Sequence, residues 1–483
     1  MALALLIGEG KLAELEYQNI QGLVISAYGH LSCAAYMLLR VTDGAAARGW
    51  LAQFVDEVTT ADVKQERTSL NVAFTREGLE HLGIDADTIK TFSRAFLEGM
   101  ATEHRSRILG DAKENDPANW NWGGSDRTKA VDILLLLFAI DGTELELLLA
   151  RQRASFSKAG IAEMMTLGAE RQPDNHEHFG FADGMGQPAI EGTPQSKKAA
   201  ARNLLKAGEI LLGHINTYDK PADSPLVHAE RDPKHLLPDA PHLDGAVDGK
   251  SILHDLGHSG TYLVFRQLAQ NVADLYRFLD EATRTPDGQL DLDASSRLAA
   301  KFVGRWPSGA PLVLTPAKDD PALANADDFG YFEHDPHGFA CPLGSHIRRA
   351  NPRDSLGPDS ATALASANRH RILRRGRSYG RHLENPRVDD GKERGLHFIC
   401  LNSDIERQFE FVQQTWINNP VFGGLNGEVD PLVGYVDKGD AIMTVPADPL
   451  RTRVHDIRRF VKVKGGAYFF LPSIRALRFL ASL

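Results

Sequence analysis

The stretch "CAAYMLLRVTDGAAARGWLAQFVDEV" at residues 33–58 contains two successive hydrophobic patterns. Residues 33–41 form an almost continuous apolar run, which is typical of a buried β-strand. After it, apolar residues recur at helical spacing, and Asp43 stands where the N-cap of a helix is expected. The stretch therefore predicts a buried strand followed by a helix.

The same alternation of strand and helix continues through the first half of the chain. Residues 70–74 and 131–140 read as two further strands, and "EMMTLGAER" reads as a fourth. Thr75 can cap one helix between them, and "GTELELLLARQRA" has the pattern of another. This order, close to βαββαβ, predicts a ferredoxin-like α+β fold, with an antiparallel sheet and helices on one face.

A second set of elements in a similar order follows residue 213. It begins with a strand at 261–265 and continues through "RILRRG", "GLHFICL", the helix "DIERQFEFVQQTW" and the strands "AIMTV" and "GAYFFLP". We therefore predict two ferredoxin-like domains, at 1–212 and 213–483. Residues 216–260 are rich in Pro, Asp and His and lack periodicity, so we expect a long insertion there.

The composition favours a protein that acts on small molecules. The 483 residues are 42% hydrophobic and 24% charged, and the formal net charge of -10 argues against nucleic acid or an anionic membrane as a partner. Three distant cysteines, Cys33, Cys341 and Cys400, suggest no disulfide framework. The start "MALALLIGEGK" lacks the pattern of an export signal, and no apolar run is long enough to span a membrane. We therefore expect a cytoplasmic location.

Two segments place single reactive side chains in apolar surroundings. In "EHFGFADGMGQP", residues 177–188, Asp183 stands between glycines and behind two phenylalanines. In "FACPLGSHIRRANPRDS", residues 339–355, His346 is followed by arginines, whose guanidinium groups match carboxylates. Asp183 is therefore a candidate acid or base, and His346 a candidate ligand.

Two later strands predict the walls of a cavity. The alternation in "RILRRG" directs Arg374 and Arg375 to opposite faces of a strand, so that one of them could point inward. On the next strand, Leu396 and Phe398 share a face and would form an apolar wall. A buried arginine requires a carboxylate or an anionic ligand, because an unpaired buried charge is very costly.

One histidine, one acid, a buried arginine and an apolar wall suit haem better than zinc. A zinc site needs three or four N, S or O ligands, whereas haem iron can be held by one proximal histidine and its propionates attract arginines. A metal-dependent hydrolase built on His176, His178 and Asp183 is an alternative, but it lacks a convincing further ligand.

Four motifs in this order resemble those of the dye-decolorizing peroxidases, the DyP-type haem peroxidases, in particular their larger, advanced class. They are "GFADG", "CPLGSHIRRANPR", "RILRRG" and "GLHFICLNSDIERQFEFVQ", and the resemblance covers nearly the whole chain. It implies two ferredoxin-like domains with one haem b per chain, held mainly by the second domain. It also implies an enzyme that uses hydrogen peroxide to oxidise dyes and small phenolic or aromatic reductants, in one-electron steps through a ferryl intermediate.

The resemblance assigns the residues on the peroxide-binding side of the haem. Gly180, Asp183 and Gly184 match the GxxDG motif, which makes Asp183 the distal acid-base. The distal arginine falls on Arg374, with the adjacent Arg375 as the alternative. A carboxylate in this role, in place of a histidine, predicts an acidic pH optimum.

On the opposite side of the haem, the resemblance makes His346 the proximal iron ligand. Either Arg348 or Arg349 would contact a propionate. The acid that supports the proximal histidine maps loosely onto Glu406 or Asp404.

Leu396 and Phe398 match the residues that line the distal pocket of the family. Bulky dyes could not enter such a pocket, so electrons would arrive partly through surface aromatic side chains. Tyr379, Trp416 and Trp306 are candidates for this relay, although the pattern favours a buried core position for any one of them.

The second functional hypothesis is a haem-binding or haem-handling protein whose peroxidase activity is incidental. Such a protein needs His346 and an apolar pocket but no charged distal pair. The joint presence of Asp183 and Arg374 therefore favours the enzyme. We expect this enzyme to be a monomer or a homo-oligomer.

Overall fold

The computed structural model describes residues 15–172, 174–240, 246–247, 250–435 and 441–483. The opening segment "MALALLIGEGK", which was examined for an export signal, lies outside these residues. Within the described part of the chain, no helix is long and apolar enough to cross a membrane. Cys33, Cys341 and Cys400 are free thiols.

The first half of the chain forms one antiparallel sheet with helices. Its elements are β1 (Cys33–Val41), α1 (Gly44–Phe54), β2 (Thr68–Phe74), α2 (Arg76–His81), α3 (Ala86–Ile89), α4 (Arg94–Glu98), α5 (Glu103–Leu109), β3 (Ile133–Ala139), α6 (Gly142–Phe156) and β4 (Ile161–Glu170). The strand order is β2-β3-β1-β4. Asp43 caps α1 by accepting a hydrogen bond from the N–H of Ala46 at 3.1 Å, and Thr75 caps α2. The predicted order, close to βαββαβ, is confirmed, with the four short helices α2 to α5 between β2 and β3.

Six short strands connect this sheet to the next one. They are β5 (Ala189–Ile190), β6 (Leu204–Leu205), β7 (Leu226–His228), β8 (Ala246–Val247), β9 (Lys250–Ser251) and β10 (Leu253–Asp255). They form the separate pairs β5-β6, β7-β10 and β8-β9. The segment 216–260, predicted as an insertion, contains the last two pairs, and its residues 241–245 and 248–249 lie outside the described part. The domain boundary at residue 213 falls in this connection and stays a prediction.

The second half repeats the arrangement of the first. Its elements are β11 (Thr261–Gln270), α7 (Val272–Ala282), α8 (Leu292–Val303), α9 (His346–Ala350), α10 (Ser360–Asn368), β12 (Leu373–Arg374), β13 (Arg377–Tyr379), β14 (Gly395–Asn402), β15 (Ala441–Val445), β16 (Thr452–Ile457), β17 (Val461–Leu471) and α11 (Ile474–Ser482). The strand order is β17-β11-β14, and both β12 and β13 pair with β14. The predicted strand "AIMTV" exists as β15, but it pairs only with β16, outside the sheet.

The two sheets join edge to edge at both sides. Phe74 of β2 pairs with Phe470 of β17, and Glu170 of β4 pairs with Ser378 of β13. Since β11 also pairs with β14, the strand pairing closes into a ring. The ring closes through one residue pair at each junction, so most of the outer edge of β4 has no strand partner in the described part of the chain.

Side chains of β3 are buried on both faces of its sheet. Leu134 and Leu136 pack in a cluster with Phe265 and Ile399 of the second sheet, whereas Leu135 and Leu137 pack in the cluster that contains the helices. Because successive side chains of a strand point to opposite faces, a strand covered on both faces reads as a continuous apolar run. This explains the sequence "ILLLLFA" of β3.

The helix predicted after β14 has an unusual geometry. It is π-helical over Glu406–Glu410 and over Val412–Ile417. π-Helical turns are rare and occur frequently at functional sites. Phe409, Val412 and Ile417 of this helix line the large cavity described next.

Candidate active site

A large cavity lies between the second sheet and α9. Two adjoining hollows make up this cavity, and they share His346, Arg374, Arg305, Leu268 and Leu396 in their walls. The apolar part of the wall comes from both sheet and helix. Its members are Leu268, Ile372, Leu396, Phe398, Phe409, Val412, Ile417, Val433, Val461 and Val463.

His346 begins α9 and is held by a buried carboxylate. Its Nδ1 lies 2.9 Å from Oδ2 of Asp430, whose other oxygen accepts the backbone N–H groups of Leu432 and Val433 at 2.9 Å each. Burial lowers the pKa of His346, but the charge and hydrogen bond of Asp430 outweigh it and the pKa is raised. With Nδ1–H donating to Asp430, Nε2 is the ring nitrogen left to bind a ligand from the cavity.

The prediction that Glu406 or Asp404 supports His346 was therefore wrong. Glu406 accepts a hydrogen bond from Arg105 at 2.6 Å, and Asp404 accepts the backbone N–H of Arg407 at 2.9 Å within its own helix. Neither carboxylate reaches His346. Asp430 does so across 84 residues of sequence from a loop without a recognisable motif.

Asp183 lies at the wall of the same cavity on a glycine turn. Gly180 and Gly184 have φ values of 86° and 83°, a left-handed conformation that other residues rarely adopt. The N–H of Asp183 donates to the carbonyl oxygen of Asn175 at 3.0 Å, which anchors the turn. The glycines thus shape the backbone that carries the carboxylate, as the GxxDG pattern led us to expect.

Arg374 is the arginine that shares the cavity with Asp183. Its Nη1 lies 3.9 Å from Oδ1 of Asp183, and its Nη2 donates to the carbonyl oxygen of Met185. Arg375 points to the opposite face, where it donates to the carbonyl oxygens of Leu23 and Val24 at 2.7 Å each. Of the two adjacent arginines, only Arg374 therefore reaches the acid and His346's cavity.

Arg348 and Arg349 do not face the cavity, and the prediction that one of them contacts a propionate was wrong. Arg348 donates to the carbonyl oxygens of Asp335 and Cys341 at 2.8 Å each. Arg349 donates to the carbonyl oxygen of Glu428 at 2.7 Å and to other backbone carbonyls. Each helical residue is rotated by about 100° from the one before, so the neighbours of His346 in α9 point elsewhere.

Other arginines give the cavity wall a positive charge. Arg305 and Arg353 both pair with a single carboxylate, Asp327. Arg371 donates to the neutral carbonyl oxygen of Gly186 at 3.0 Å, and burial lowers its pKa to about 10. Three cationic side chains with one carboxylate between them form a site for anionic groups.

Glu177 is a cavity residue that the sequence analysis missed. Its Oε2 accepts hydrogen bonds from the N–H of Phe179 at 2.9 Å and from Gln270 at 2.6 Å, and its Oε1 accepts from the N–H of Phe181 at 3.1 Å. Burial raises its pKa to about 7 despite these donors. The glutamate ties down both phenylalanines of the turn that carries Asp183. Its place in "EHFGFADG" was the available signal.

His176 and His178 do not converge on Asp183. His178 donates from Nε2 to the carbonyl oxygen of Tyr379 at 2.8 Å, and Nε2 of His176 lies 3.1 Å from the carbonyl oxygen of Pro307. Among the described residues, these side chains form no metal-ligand group with Asp183. The hydrolase alternative therefore has no site.

The three aromatic relay candidates are all buried. Tyr379, Trp416 and Trp306 retain 8%, 6% and 5% of their exposed surface. None of the three aromatic candidates is a surface residue.

Leu396 and Phe398 both line the cavity, as predicted.

The cavity residues fit a haem. His346 offers one nitrogen ligand, and the walls beside it are apolar. Arg371 has only neutral hydrogen-bond partners among the described residues, and Arg266, also in the wall, pairs with Asp111 through Nη2 and leaves Nη1 without a partner. A flat apolar macrocycle with two carboxylates would satisfy the walls, the ligand and the excess positive charge together.

Known proteins resemble this chain over nearly its full length. A dye-decolorizing peroxidase of Exidia glandulosa is 30% identical over 494 residues, which cover 96% of this chain and 87% of the relative. The multifunctional dye peroxidase DyP2 of an Amycolatopsis species is 32% identical, covering 85% and 82%. A crystal structure of a fungal DyP-type peroxidase from Auricularia auricula-judae superposes with a TM-score of 0.76 at 25% identity, covering 97% of this chain and all of that one. No family model matches the chain.

Proposed function

Because the chain belongs to the dye-decolorizing peroxidase family, we propose that Asp183, Arg374 and His346 form the active centre of a haem peroxidase. The enzyme uses hydrogen peroxide to oxidise dyes and small phenolic or aromatic reductants in one-electron steps. The observation that carries the residue assignment is the approach of Arg374 to Asp183, 3.9 Å apart, beside the cavity of His346. A protein that only carried haem would not need this charged pair.

His346 would hold the haem through Nε2, with one haem b per chain. When bound, the haem supplies the iron that takes up the two oxidising equivalents of hydrogen peroxide. Asp430 keeps Nδ1 of His346 protonated and orients the ring. Its buried negative charge also makes Nε2 a stronger electron-pair donor to a metal ion. Arg371, with Arg305 and Arg353 nearby, would bind the propionates.

Asp183 would move the proton of the peroxide. Its carboxylate accepts the proton from one peroxide oxygen and returns it to the other, which leaves as water when the O–O bond breaks. Negative charge builds up on the leaving oxygen during this step. The guanidinium of Arg374 would stabilise that charge, since its Nη2 donates to the carbonyl oxygen of Met185 and the backbone N–H of Arg374 donates to Oε1 of Gln187, which fixes the side chain before the peroxide arrives.

Glu177 would act as a positioning residue for Asp183. Its carboxyl group binds the N–H groups of Phe179 and Phe181, on either side of Gly180. These bonds fix the start of the turn whose end carries Asp183. Losing them would let the acid move relative to Arg374.

The assignment is tested by steady-state dye oxidation with D183N and R374L, both loaded with haem. We expect each variant to keep haem and to lose about 100-fold or more of its turnover, because general acid-base and electrostatic contributions are each of this size. The matched control is D174N, an exposed acid in the same segment, which should keep its turnover. Full turnover in D183N would contradict the proposed role of the acid.

A further inference from the structure

We propose that His235, Asp239 and His254 form a second metal site, for a divalent transition ion such as Zn²⁺. In the described part of the chain, these three residues are the one group of three or more His, Cys, Asp or Glu side chains whose ligand atoms all lie within 4.8 Å of one another. They lie in the 216–260 segment, and none of them lines the haem cavity. The site is therefore separate from the peroxidase centre.

The distances between the ligand atoms match the edges of a coordination polyhedron. Nε2 of His254 lies 3.6 Å from Oδ1 of Asp239, and Nε2 of His235 lies 3.8 Å from the same oxygen. Both separations are too long for hydrogen bonds. Ligands about 2.1 Å from a tetrahedral Zn²⁺ are separated by roughly 3.4 Å, so a small closure would bring the three atoms onto one ion.

A buried carboxylate prepares His254 to be a ligand. Its Nδ1 donates to Oδ2 of Asp232 at 2.8 Å, and the side chains of both residues are almost completely buried. Asp232 is itself fixed by the N–H groups of Leu236 and Leu237 at 2.9 Å each. Because Nδ1 carries the proton, the lone pair of Nε2 points towards Asp239. This carboxylate-histidine arrangement is the usual support of a metal-bound imidazole.

Backbone pairing brings the other two ligands to His254. Asp239 lies opposite His254 in an antiparallel bridge, held by the bond from Ala240 N–H to the carbonyl oxygen of Leu253 at 3.0 Å. His235 sits on the turn that starts at Asp232, with a φ of 50°. The two strands of backbone thus present three ligands at one point.

The chemistry of the site selects the ion. Two imidazoles and a carboxylate suit Zn²⁺ and its neighbours in the first transition series, whereas Ca²⁺ and Mg²⁺ require oxygen ligands. His235 and Asp239 are exposed, so an ion can enter from solvent, and water would complete its coordination. A bound ion would clamp the turn at 232–239 onto β10 and stabilise the fold in proportion to its occupancy.

The test is a calorimetric titration of the chelator-treated holoenzyme with ZnCl₂, accompanied by thermal unfolding with and without the ion. We expect one equivalent to bind and to raise the unfolding temperature. Variants H235A and D239N, both at exposed positions, should bind Zn²⁺ at least about 10-fold more weakly and lose the thermal shift. H228A replaces an exposed histidine of the same segment outside the group, and it should behave as the parent protein.

Two outcomes would overturn the proposal. One is the absence of a stoichiometric Zn²⁺ site in the parent protein. The other is a loss of affinity in H228A as large as in H235A and D239N, which would mean non-specific binding to surface histidines. The Soret band of the haem reports separately on the peroxidase centre, so a failure here does not touch the proposed function.

Discussion

The two walls of the haem cavity hold their polar side chains in different ways. On one wall, His346 is bonded at 2.9 Å to Asp430, whose side chain is completely buried. On the other, Asp183 and Arg374 are 3.9 Å apart with about a third of each side chain exposed. The first pair is a short hydrogen bond to a carboxylate that solvent does not reach, while the imidazole itself is 31% exposed towards the cavity; the second is an open pair whose two members are both partly exposed.

This difference teaches how the two walls divide the work. An iron ligand needs a constant orientation and a constant tautomer, which a buried carboxylate provides. A proton carrier has to reach a substrate, release a proton and return; Oδ1 of Asp183 accepts the N–H of Gly184 at 2.6 Å, but its Oδ2 has no hydrogen-bond partner among the described residues. Substitutions on the two walls should therefore affect haem binding and the reaction with peroxide separately.

Removing the ligand should have the largest effect. In H346A we expect the loss of the Soret band of bound haem, or its shift to a weakly ligated form, and a loss of peroxidase turnover of about 1,000-fold or more. The absorption spectrum of the purified protein checks this. H455A, which removes an exposed histidine of β16, should keep both spectrum and turnover. A parent-like spectrum in H346A would contradict the assignment of His346 as the iron ligand.

Removing the cation of the open pair should spare the cofactor. In R374L we expect normal haem binding and a reaction with peroxide that is slower by about 100- to 1,000-fold, because a preorganised charge opposite the leaving oxygen contributes about this much. Stopped-flow spectroscopy measures the rate. If R374L instead lost its haem, Arg374 would be needed for haem binding and not only for the reaction with peroxide.

Weakening the support of the ligand should have an intermediate effect. D430N removes the buried negative charge behind His346 and places an amide near the N–H groups of Leu432 and Val433. We expect haem to bind roughly 10- to 100-fold more weakly, which is the usual cost of losing such a partner. Competition for haem with an apo-haem protein of known affinity measures the change. E406Q, at the acid first considered for this role, should bind haem as the parent does.

The smallest effect concerns stability and pH. The folded protein holds the pKa of Glu177 at about 7, above its ordinary value of 4.5, so the folded state keeps this proton when the unfolded state has lost it. The contribution of Glu177 is complete below pH 4.5 and declines as the pH rises to 7, by roughly 3 kcal/mol. Denaturant unfolding of E177Q should lack this decline between pH 5 and 8. An unchanged slope would assign the titration to other groups.

Local sequence was sufficient to predict most of the fold. The apolar run of β3 predicted the strand within two residues at its start and one at its end, because the burial of both faces leaves no polar position. The caps Asp43 and Thr75 could also be predicted, because the capping of a helix N-terminus depends only on residues next to it in the sequence. The ring closure through single residue pairs had no such local signal.

The site was predicted where a motif carried the residue and missed where a distant contact did. Asp183 and His346 stand in short segments of special composition, and both line the cavity. Asp430 reaches His346 over 84 residues, and its loop resembles many others. Arg348 and Arg349 looked like propionate ligands by proximity in sequence, but helix rotation turns them away. Proximity along a helix therefore predicted the wrong arginines.

The most direct test of the division between the two walls is the reaction of haem-loaded D183N with hydrogen peroxide, followed in the Soret region. Asparagine keeps the size of Asp183 but cannot take up a proton. We predict a resting spectrum equal to that of the parent protein and a bimolecular rate lower by about 100-fold or more. A rate within a few-fold of the parent value, with haem still bound, would contradict the assignment of proton transfer to Asp183.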